Sequence, residues 1–482
     1  MNFRNDIQGF RALAVIFVFI FHFSTSYLPG GFIGVDMFFV ISGYLITKII
    51  IGKLNKGTFD IKDFYISRIK RIAPAYFFLL MVVWIIFLFL FTTSEVSKFR
   101  SWHFWTFIFN SNNHFAKVDD YFGASSNENP LLHTWTLSVE MQFYLILPLL
   151  LLIIRQIKLL TIILAVISIG LISYSTIEIL AGNKATMYFS LLSRSPEFFI
   201  GSLLTITNIE DNIKTKKLKN TLGIVGLLIL IGSAFLLNEN SFFPGATALI
   251  PCMGMGLLLI SNGGKINELF SNKIFVYIGE ISYSIYLWHW PIMAFLRYKN
   301  ETYTFGFWDS IFVIIVTLVS SLLSYYFVEK PLRTPTGIKF YVPFVIIAAT
   351  NIIMIFATSA AKEIVTPMPI EYGRPIFGVD SHGSKFKTVE VMGDTSAKCK
   401  RILFIGDSHA HTFKPYLDKL GKQHQFKYRT ITSDLYPTFP NLPDSLIKDK
   451  TRLAIYRKLT PFINKEIDSA EVIIVLFAAN ND

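Results

Sequence analysis

The sequence predicts a polytopic α-helical membrane protein with about eleven transmembrane helices, followed by a partial α/β domain outside the membrane. Of its 482 residues, 52% are hydrophobic and only 16% are charged, whereas soluble domains carry about 25% charged residues. Apolar runs of about 20 residues, the length that crosses a bilayer, recur as far as residue 358. From Lys400 the composition is that of a soluble α/β domain, with a strand predicted at 401–405, a helix at 409–420 and a strand at 471–477.

Eleven apolar segments are predicted to be the spans. They are 10–27, 32–51, 74–92, 135–154, 159–177, 186–207, 221–237, 244–260, 276–296, 308–328 and 340–358. The first apolar stretch continues to Tyr27 without a small-residue cleavage site, so it is predicted to be a helix and not a signal peptide. The polar and aromatic segment 92–134 is predicted to form an outer loop or a re-entrant element.

Basic residues cluster in the loops that follow the even-numbered spans. They include Lys53, Lys56, Lys62, Arg68, Lys70, Arg71, Arg155, Lys158, Lys214, Lys216, Lys217, Lys219, Lys265, Lys273, Lys330, Arg333 and Lys339. Because basic loops stay in the cytoplasm, the N-terminus is predicted to be cytoplasmic and the chain after about residue 360 periplasmic. Membrane lipid is therefore the expected surrounding of the spans. Because the basic residues lie in the loops between the spans, the net charge of +12 does not indicate a nucleic-acid partner.

Metal binding is not predicted. The chain has two cysteines, Cys252 and Cys399, and neither a CxxC motif nor a histidine-rich tract. Structural zinc sites need such ligand sets.

Polar residues inside the first and fourth spans are the first candidates for function, because charged groups within a span cost about 2.5–3.5 kcal/mol each. Arg11 and His22 are eleven residues apart, which places them within about 20° of one helix face and ~16 Å apart. On the fourth span, Glu140 is expected at a depth similar to that of His22, with His133 nearer the outer end. A carboxylate beside His22 would orient the imidazole as a general base. The alternatives are an interfacial anchor for Arg11, a bundle hydrogen bond for His22 and a structural ion pair for Glu140.

Three further spans carry weaker candidates. Arg194 and Glu197 are three residues apart in the sixth span, so they are expected to pair with each other. The ninth span carries Tyr283 and His289, and Glu329 closes the tenth. Charges at a helix end are more often structural than chemical.

Several strings in the first 335 residues resemble the acyltransferase-3 family of membrane acyltransferases. They are 6–15 (DIQGFRALAV) with His22, 34–44 (GVDMFFVISGY), 68–74 (RIKRIAP), 129–140 (NPLLHTWTLSVE) with 142–144, 282–289 (SYSIYLWH) and 326–333 (YFVEKPLR). Their common order makes the resemblance specific. It implies a membrane domain over residues 1–335, an eleventh helix and linker over 336–398, and an outer domain over 399–482.

The resemblance also implies an activity and its residues. The family transfers an acyl group, commonly acetyl, from cytoplasmic acyl-CoA to an extracytoplasmic carbohydrate. Acetyl-CoA would be a donor substrate and not a permanently bound cofactor. Arg11 and His22 match the family's Arg-x10-His motif, Arg68 and Arg71 match its Arg-x-x-Arg motif, and Asp36 lies in the second string. His22 is expected to act either as a general base or as a covalent acyl carrier.

The string 400–410 (KRILFIGDSHA) resembles the first block of the SGNH hydrolase and transferase fold. The resemblance implies that Ser408 is a nucleophile at a helix N-terminus, with Asn480 as an oxyanion-hole residue. The family's C-terminal Asp-x-x-His is missing, because only His409, His411 and His424 follow the turn. The domain is therefore expected to be truncated or partial, and serine catalysis is not favoured.

The sequence leaves the acceptor open. Lipopolysaccharide O-antigen or another surface polysaccharide is favoured, in a bacterial inner membrane, and peptidoglycan is the alternative within the same activity. A transporter or flippase of lipid-linked sugars is the main alternative from another class, although no paired half-repeats are evident. A membrane-anchored esterase acting through Ser408 would need the missing histidine.

Overall fold

The structure is a computed structural model, and it describes residues 4–118, 127–154, 156–367, 389–432, 439–447 and 450–477. The chain divides into two compact units, residues 1–91 with 95–361 and residues 92–94 with 362–482. Asn480 and Arg155 lie outside the described residues.

Helices form almost all of the first unit. In chain order they are α1 Asn5–Phe23, α2 Gly34–Asn55, α3 Ile61–Leu90, α4 Val96–Phe107, α5 Ser111–Val118, α6 Trp135–Ile153, α7 Ile157–Leu180, α8 Lys184–Phe189, α9 Leu191–Ile206, α10 Ile209–Asn212, α11 Lys216–Leu236, α12 Leu249–Ile260, α13 Lys265–Phe270, α14 Lys273–Asn300, α15 Phe307–Ser324, α16 Lys330–Arg333 and α17 Ile338–Val365. A π-helical turn, Tyr325–Glu329, joins α15 to α16.

The predicted helical membrane fold is confirmed, and each of the eleven predicted spans overlaps a helix. The bounds differ in places: span 186–207 covers both α8 and α9, and α1 ends at Phe23, before the predicted end of the first span at 27. Within the described residues, eight helical stretches are long and apolar enough to cross a membrane: α1, α2, α3, α6, α7, α11, α15 and α17. Helices α9 and α12 are shorter, at 16 and 12 residues. Helix α14 has 28 residues but is not among the eight apolar stretches. Eleven crossings therefore stay a prediction.

The segment between the third and fourth spans is largely helical in its described part, and some of its polar side chains are buried. His103 on α4 meets Asn351 Oδ1 on α17 through its Nε2 at 3.0 Å. On α5, Asn112 donates to the carbonyl oxygen of Phe189 at 3.3 Å. Both side chains are buried, so α4 packs against α17 and α5 packs against α8.

Helices α2 and α9 touch through their backbones. A Cβ atom on Gly201 would lie 2.0 Å from the carbonyl oxygen of Val40, and one on Gly43 would lie 2.0 Å from that of Phe198. Glycine is required at both positions because any side chain would separate the helices, as in small-residue contacts of other membrane helices.

The second unit is a four-stranded sheet with one helix on each face. Its elements are β1 Glu390–Gly393, β2 Ile402–Gly406, α18 Ser408–Gln423, β3 Lys427–Thr432, α19 Lys450–Ser469 and β4 Val472–Leu476. The strand order is β1-β3-β2-β4, parallel except for β1. Alternate residues of β2 face opposite sides: Leu403 and Ile405 pack with α19, and Phe404 packs with α18. The predicted strand, helix and strand are confirmed, whereas β1, β3 and α19 were not predicted.

We expect Gly201→Ala to destabilise the helical unit by about 1–3 kcal/mol, because overpacking must move α2 away from α9. Gly232→Ala is the matched control, since Gly232 is also inside a helix but a Cβ atom there would have no other atom within 4 Å. Thermal unfolding of both variants in detergent measures the difference. Equal unfolding temperatures would show that the α2–α9 approach is not tight.

Candidate active site

A basic cavity of about 780 Å³ opens between helices of the first unit. Arg11, Arg68 and Arg71 line one part of it, and Thr136 and Tyr286 also line it. Arg68 and Arg71 lie on α3, which begins at Ile61 because the Asp60 side chain caps it by accepting from the Asp63 N–H at 2.7 Å. The Arg-x-x-Arg motif, predicted to lie in a loop, is therefore on a helix, and its three-residue spacing turns both guanidiniums to one side.

A basic groove of about 710 Å³ adjoins this cavity. Asp63, Ser67, Lys70 and Arg333 line it together with the same two arginines, Arg68 and Arg71. The groove is therefore continuous with the basic cavity at these arginines. Phosphate oxygens suit such a cluster, because guanidinium groups bind them through paired hydrogen bonds.

Two of the predicted carboxylates, Glu140 and Glu329, and the predicted Tyr283 lie in or beside the basic cavity. Glu140 lines it and accepts a hydrogen bond from Ser42 Oγ at 2.6 Å and another from the Tyr144 hydroxyl. Tyr283 also lines it and donates to the Ile72 carbonyl oxygen at 2.7 Å. Glu329, in the π-helical turn, accepts from Ser284 Oγ at 2.9 Å and has Arg11 and Arg71 among its nearest charges. Such turns are frequent at functional sites.

A second, histidine cavity of about 1210 Å³ contains His22. Trp290, Arg297, Tyr303 and Phe305 are also in its lining. Arg297 donates to the backbone carbonyl oxygen of His22 at 2.5 Å, and its guanidinium lies over the rings of Trp290 and Phe305. Helix α1 thus carries Arg11 in one cavity and His22 in the other.

A wall of aromatic and imidazole side chains lies between the two cavities. His22 Nδ1 is 2.9 Å from His289 Nε2, and the His289 ring is 5.9 Å from the ring of His133. Tyr286 contacts both of these rings, lines the basic cavity, and donates to the His133 carbonyl oxygen at 3.0 Å. The cavities are therefore separated by the width of a few side chains.

The partner predicted for His22 was wrong. Glu140 was expected to orient the imidazole, but it hydrogen-bonds Ser42 and Tyr144 in the basic cavity, whereas His22 meets His289. The Glu140 carboxylate and the His22 imidazole were expected at similar depth, but they do not meet, because His22 faces α14. Tyr286 and Arg297 were missed, although Tyr286 is three residues before His289 and so shares its helix face.

Arg194, Glu197 and Asp36 form a separate buried cluster. Arg194 Nη1 is 3.0 Å from Glu197 and 3.4 Å from Asp36, and its guanidinium lies over Tyr188 and Trp135. The predicted pairing of Arg194 with Glu197 is confirmed. None of the three lines a described cavity, so the cluster connects α2 to α9 and does not join the site.

In the second unit, Ser408 is the first residue of α18, directly after β2. The turn requires Gly406, because a Cβ there would lie 1.8 Å from the Leu476 carbonyl oxygen. The Asp407 side chain caps the helix by accepting from the His409 N–H at 2.9 Å. Among the described residues no hydrogen bond joins Ser408 to a histidine, and none of the groups of His, Cys, Asp or Glu there could hold a metal ion.

Comparison with known families matches both units. An acyltransferase domain matches residues 4–326, and the SGNH domain that occurs fused to such acyltransferase domains matches residues 379–479. No solved structure matches the chain.

Three bacterial relatives align over similar stretches. The peptidoglycan O-acetyltransferase OatA of Listeria monocytogenes is 33% identical over 361 residues, which are 70% of this chain and 57% of the relative. A Bacillus subtilis protein provisionally named peptidoglycan O-acetyltransferase YrhL is 31% identical, over 68% of this chain and 54% of its own. A Staphylococcus aureus protein provisionally named O-acetyltransferase SAR0937 is 31% identical, over 70% and 58%. The alignments thus span little more than half the length of these relatives, but the family match covers most of this chain, and the protein belongs to the acyltransferase-3 family.

Proposed function

We propose that the protein transfers an acyl group, with acetyl the first candidate, from acyl-CoA to a hydroxyl of an extracytoplasmic carbohydrate. One observation carries the proposal. A basic cavity and a histidine cavity meet at a wall that contains His22, His289 and Tyr286. A donor in one cavity and an acceptor in the other would then be brought together without either crossing the bundle.

The basic cavity and groove suit coenzyme A. Its phosphates would lie at the groove, where Arg68, Arg71 and Lys70 supply positive charge. Its uncharged pantetheine arm would extend past Phe38 and Ile46 towards Tyr286, through the largely apolar remainder of the basic cavity. This direction brings the thioester to the wall and leaves the phosphates near the surface.

His22 is the group best placed for the chemistry. As a general base it would take the proton of the acceptor hydroxyl while that oxygen bonds to the acyl carbon and the carbon–sulfur bond breaks, releasing the thiolate. As a nucleophile it would first accept the acyl group at nitrogen and then pass it to the hydroxyl. Both roles need His22 to face the acceptor, which its position in the histidine cavity provides.

For the acceptor, peptidoglycan now stands first. Two of the three relatives are named for it, whereas the sequence by itself favoured lipopolysaccharide O-antigen, which stays the second candidate. The proposed location is the inner membrane, with the basic groove facing the cytoplasm and the SGNH unit outside. Ser408 would receive an acyl group there only with a base to activate its hydroxyl.

We expect His22→Gln to lower acetyl transfer by about 10²–10⁴-fold, because the reaction loses its base or carrier. The matched control is His103→Gln, which alters another buried histidine away from both cavities. Transfer of radiolabelled acetyl groups to isolated peptidoglycan by membrane vesicles measures the effect. Activity above a tenth of the wild-type value would remove His22 from the chemistry.

Arg71→Ala and Arg68→Ala are expected to raise the KM for acetyl-CoA by about tenfold or more, since a charge-assisted hydrogen bond contributes about 1.5–3 kcal/mol. The KM for the acceptor should change little. Lys53→Ala is the control, because Lys53 is a nearby exposed basic residue outside the groove. An unchanged donor KM in both variants would mean that the two arginines serve only to orient the chain in the membrane.

The proposed orientation places Lys216 and Lys422 on opposite sides of the membrane. Both side chains are exposed, at 66% and 64%, so a cysteine introduced at either position should be accessible to a labelling reagent on its own side. In a variant lacking Cys252 and Cys399, an impermeant maleimide added to spheroplasts should label Lys422→Cys and spare Lys216→Cys. Labelling of both from the outside would contradict the predicted topology.

A further inference from the structure

The hydrogen-bond partners of His289 fix the position of its proton. Nδ1 lies 2.7 Å from the carbonyl oxygen of Tyr286 and 3.2 Å from that of Ile285. Carbonyl oxygens only accept hydrogen bonds, so Nδ1 of His289 must carry the hydrogen. The lone pair of a neutral ring is then on Nε2.

His289 in turn fixes the proton of His22. The His289 Nε2 atom, which can only accept, is 2.9 Å from Nδ1 of His22. The two rings are nearly parallel at 16°, and their centroids are 5.2 Å apart, as in an edge-to-edge N–H···N bond. Nδ1 of His22 therefore donates, and the basic lone pair of His22 is on Nε2.

We propose that His289 is a positioning residue that holds His22 in the Nδ1–H tautomer and thereby makes Nε2 of His22 the reactive nitrogen. The inference rests on the proposed function. Of the two rings, His22 lines the histidine cavity and His289 does not. In the transfer step the acceptor proton passes to Nε2 of His22, the oxygen–carbon bond forms, and the thiolate that leaves with the carbon–sulfur electrons then receives that proton.

A neutral imidazole suits this place better than a carboxylate. Both histidines are buried, and an unpaired buried carboxylate carries a desolvation cost of several kcal/mol. Among the described residues, the Arg297 guanidinium and the His133 imidazole lie beside the pair. His289 accepts the hydrogen bond without adding a charge, and its lone pair stabilises the imidazolium that forms on His22 during the reaction.

Two substitutions separate this role from packing. His289→Phe keeps an aromatic ring but has no acceptor, whereas His289→Gln offers Oε1 near the position of Nε2. We expect His289→Phe to lower kcat about 10–100-fold or more with both KM values unchanged, by analogy with groups that orient metal-binding histidines, and His289→Gln to restore most of kcat. His103→Phe is the control for loss of a buried histidine.

A second measurement does not depend on activity. ¹⁵N-histidine NMR of the full chain in lipid bilayers reports which nitrogen is protonated, and the signals of His22 among the nine histidines are identified by their loss in His22→Gln. We expect a protonated Nδ1, an unprotonated Nε2 and a coupling across the hydrogen bond to His289, which His289→Phe abolishes.

The outcomes are distinct. An Nε2-protonated His22, or equal kcat in wild type and His289→Phe, would overturn the role of His289. The expected NMR signals in a wild-type protein that transfers no acyl group would leave the tautomer assignment standing and overturn the proposed function.

Discussion

The hydrogen bond between His22 on α1 and His289 on α14 is the contact on which the site depends. Coenzyme A is highly charged and a carbohydrate is strongly hydrated, so neither dissolves in hydrocarbon. In the proposed reaction, transfer would therefore occur where the two cavities approach each other, with the wall of imidazole and aromatic side chains between them. Helices α1 and α14 also pack closely at one glycine, because a Cβ on Gly279 would lie 1.9 Å from the Gln8 carbonyl oxygen.

Several charged side chains inside the helical unit contact groups on neighbouring helices. Arg194 pairs with both Asp36 and Glu197, and Glu140 accepts hydrogen bonds from two hydroxyl groups. Breaking such a group leaves an uncompensated charge, which costs about 3–5 kcal/mol. These groups therefore help to fix how α2, α6 and α9 pack against one another. Arg68 and Arg71 differ, because they line open space.

In the SGNH unit, a tight turn between a strand and a helix positions Ser408. Strand β2 ends at Gly406, where only glycine fits, and α18 starts two residues later, so Ser408 lies at the helix N-terminus. Backbone N–H groups at that end favour a negatively charged oxygen. Within the described residues, no base is hydrogen-bonded to the Ser408 hydroxyl. The serine therefore has the position of a nucleophile but not, among these residues, the group that would activate it.

The sequence by itself determined the helical membrane class, a helix in each of the eleven segments and the strand–turn–helix that carries Ser408. These follow from apolar run length, charge in the loops and local turn chemistry, which act over a few residues. It also selected Arg11, His22, Arg68 and Arg71 as candidates. It did not determine which groups meet, and it chose Glu140 in place of His289 as the partner of His22. Depth along a helix can be read from residue number, but the direction in which a side chain faces a neighbouring helix depends on how the helices pack. Only the tertiary structure brings together two histidines that are 267 residues apart.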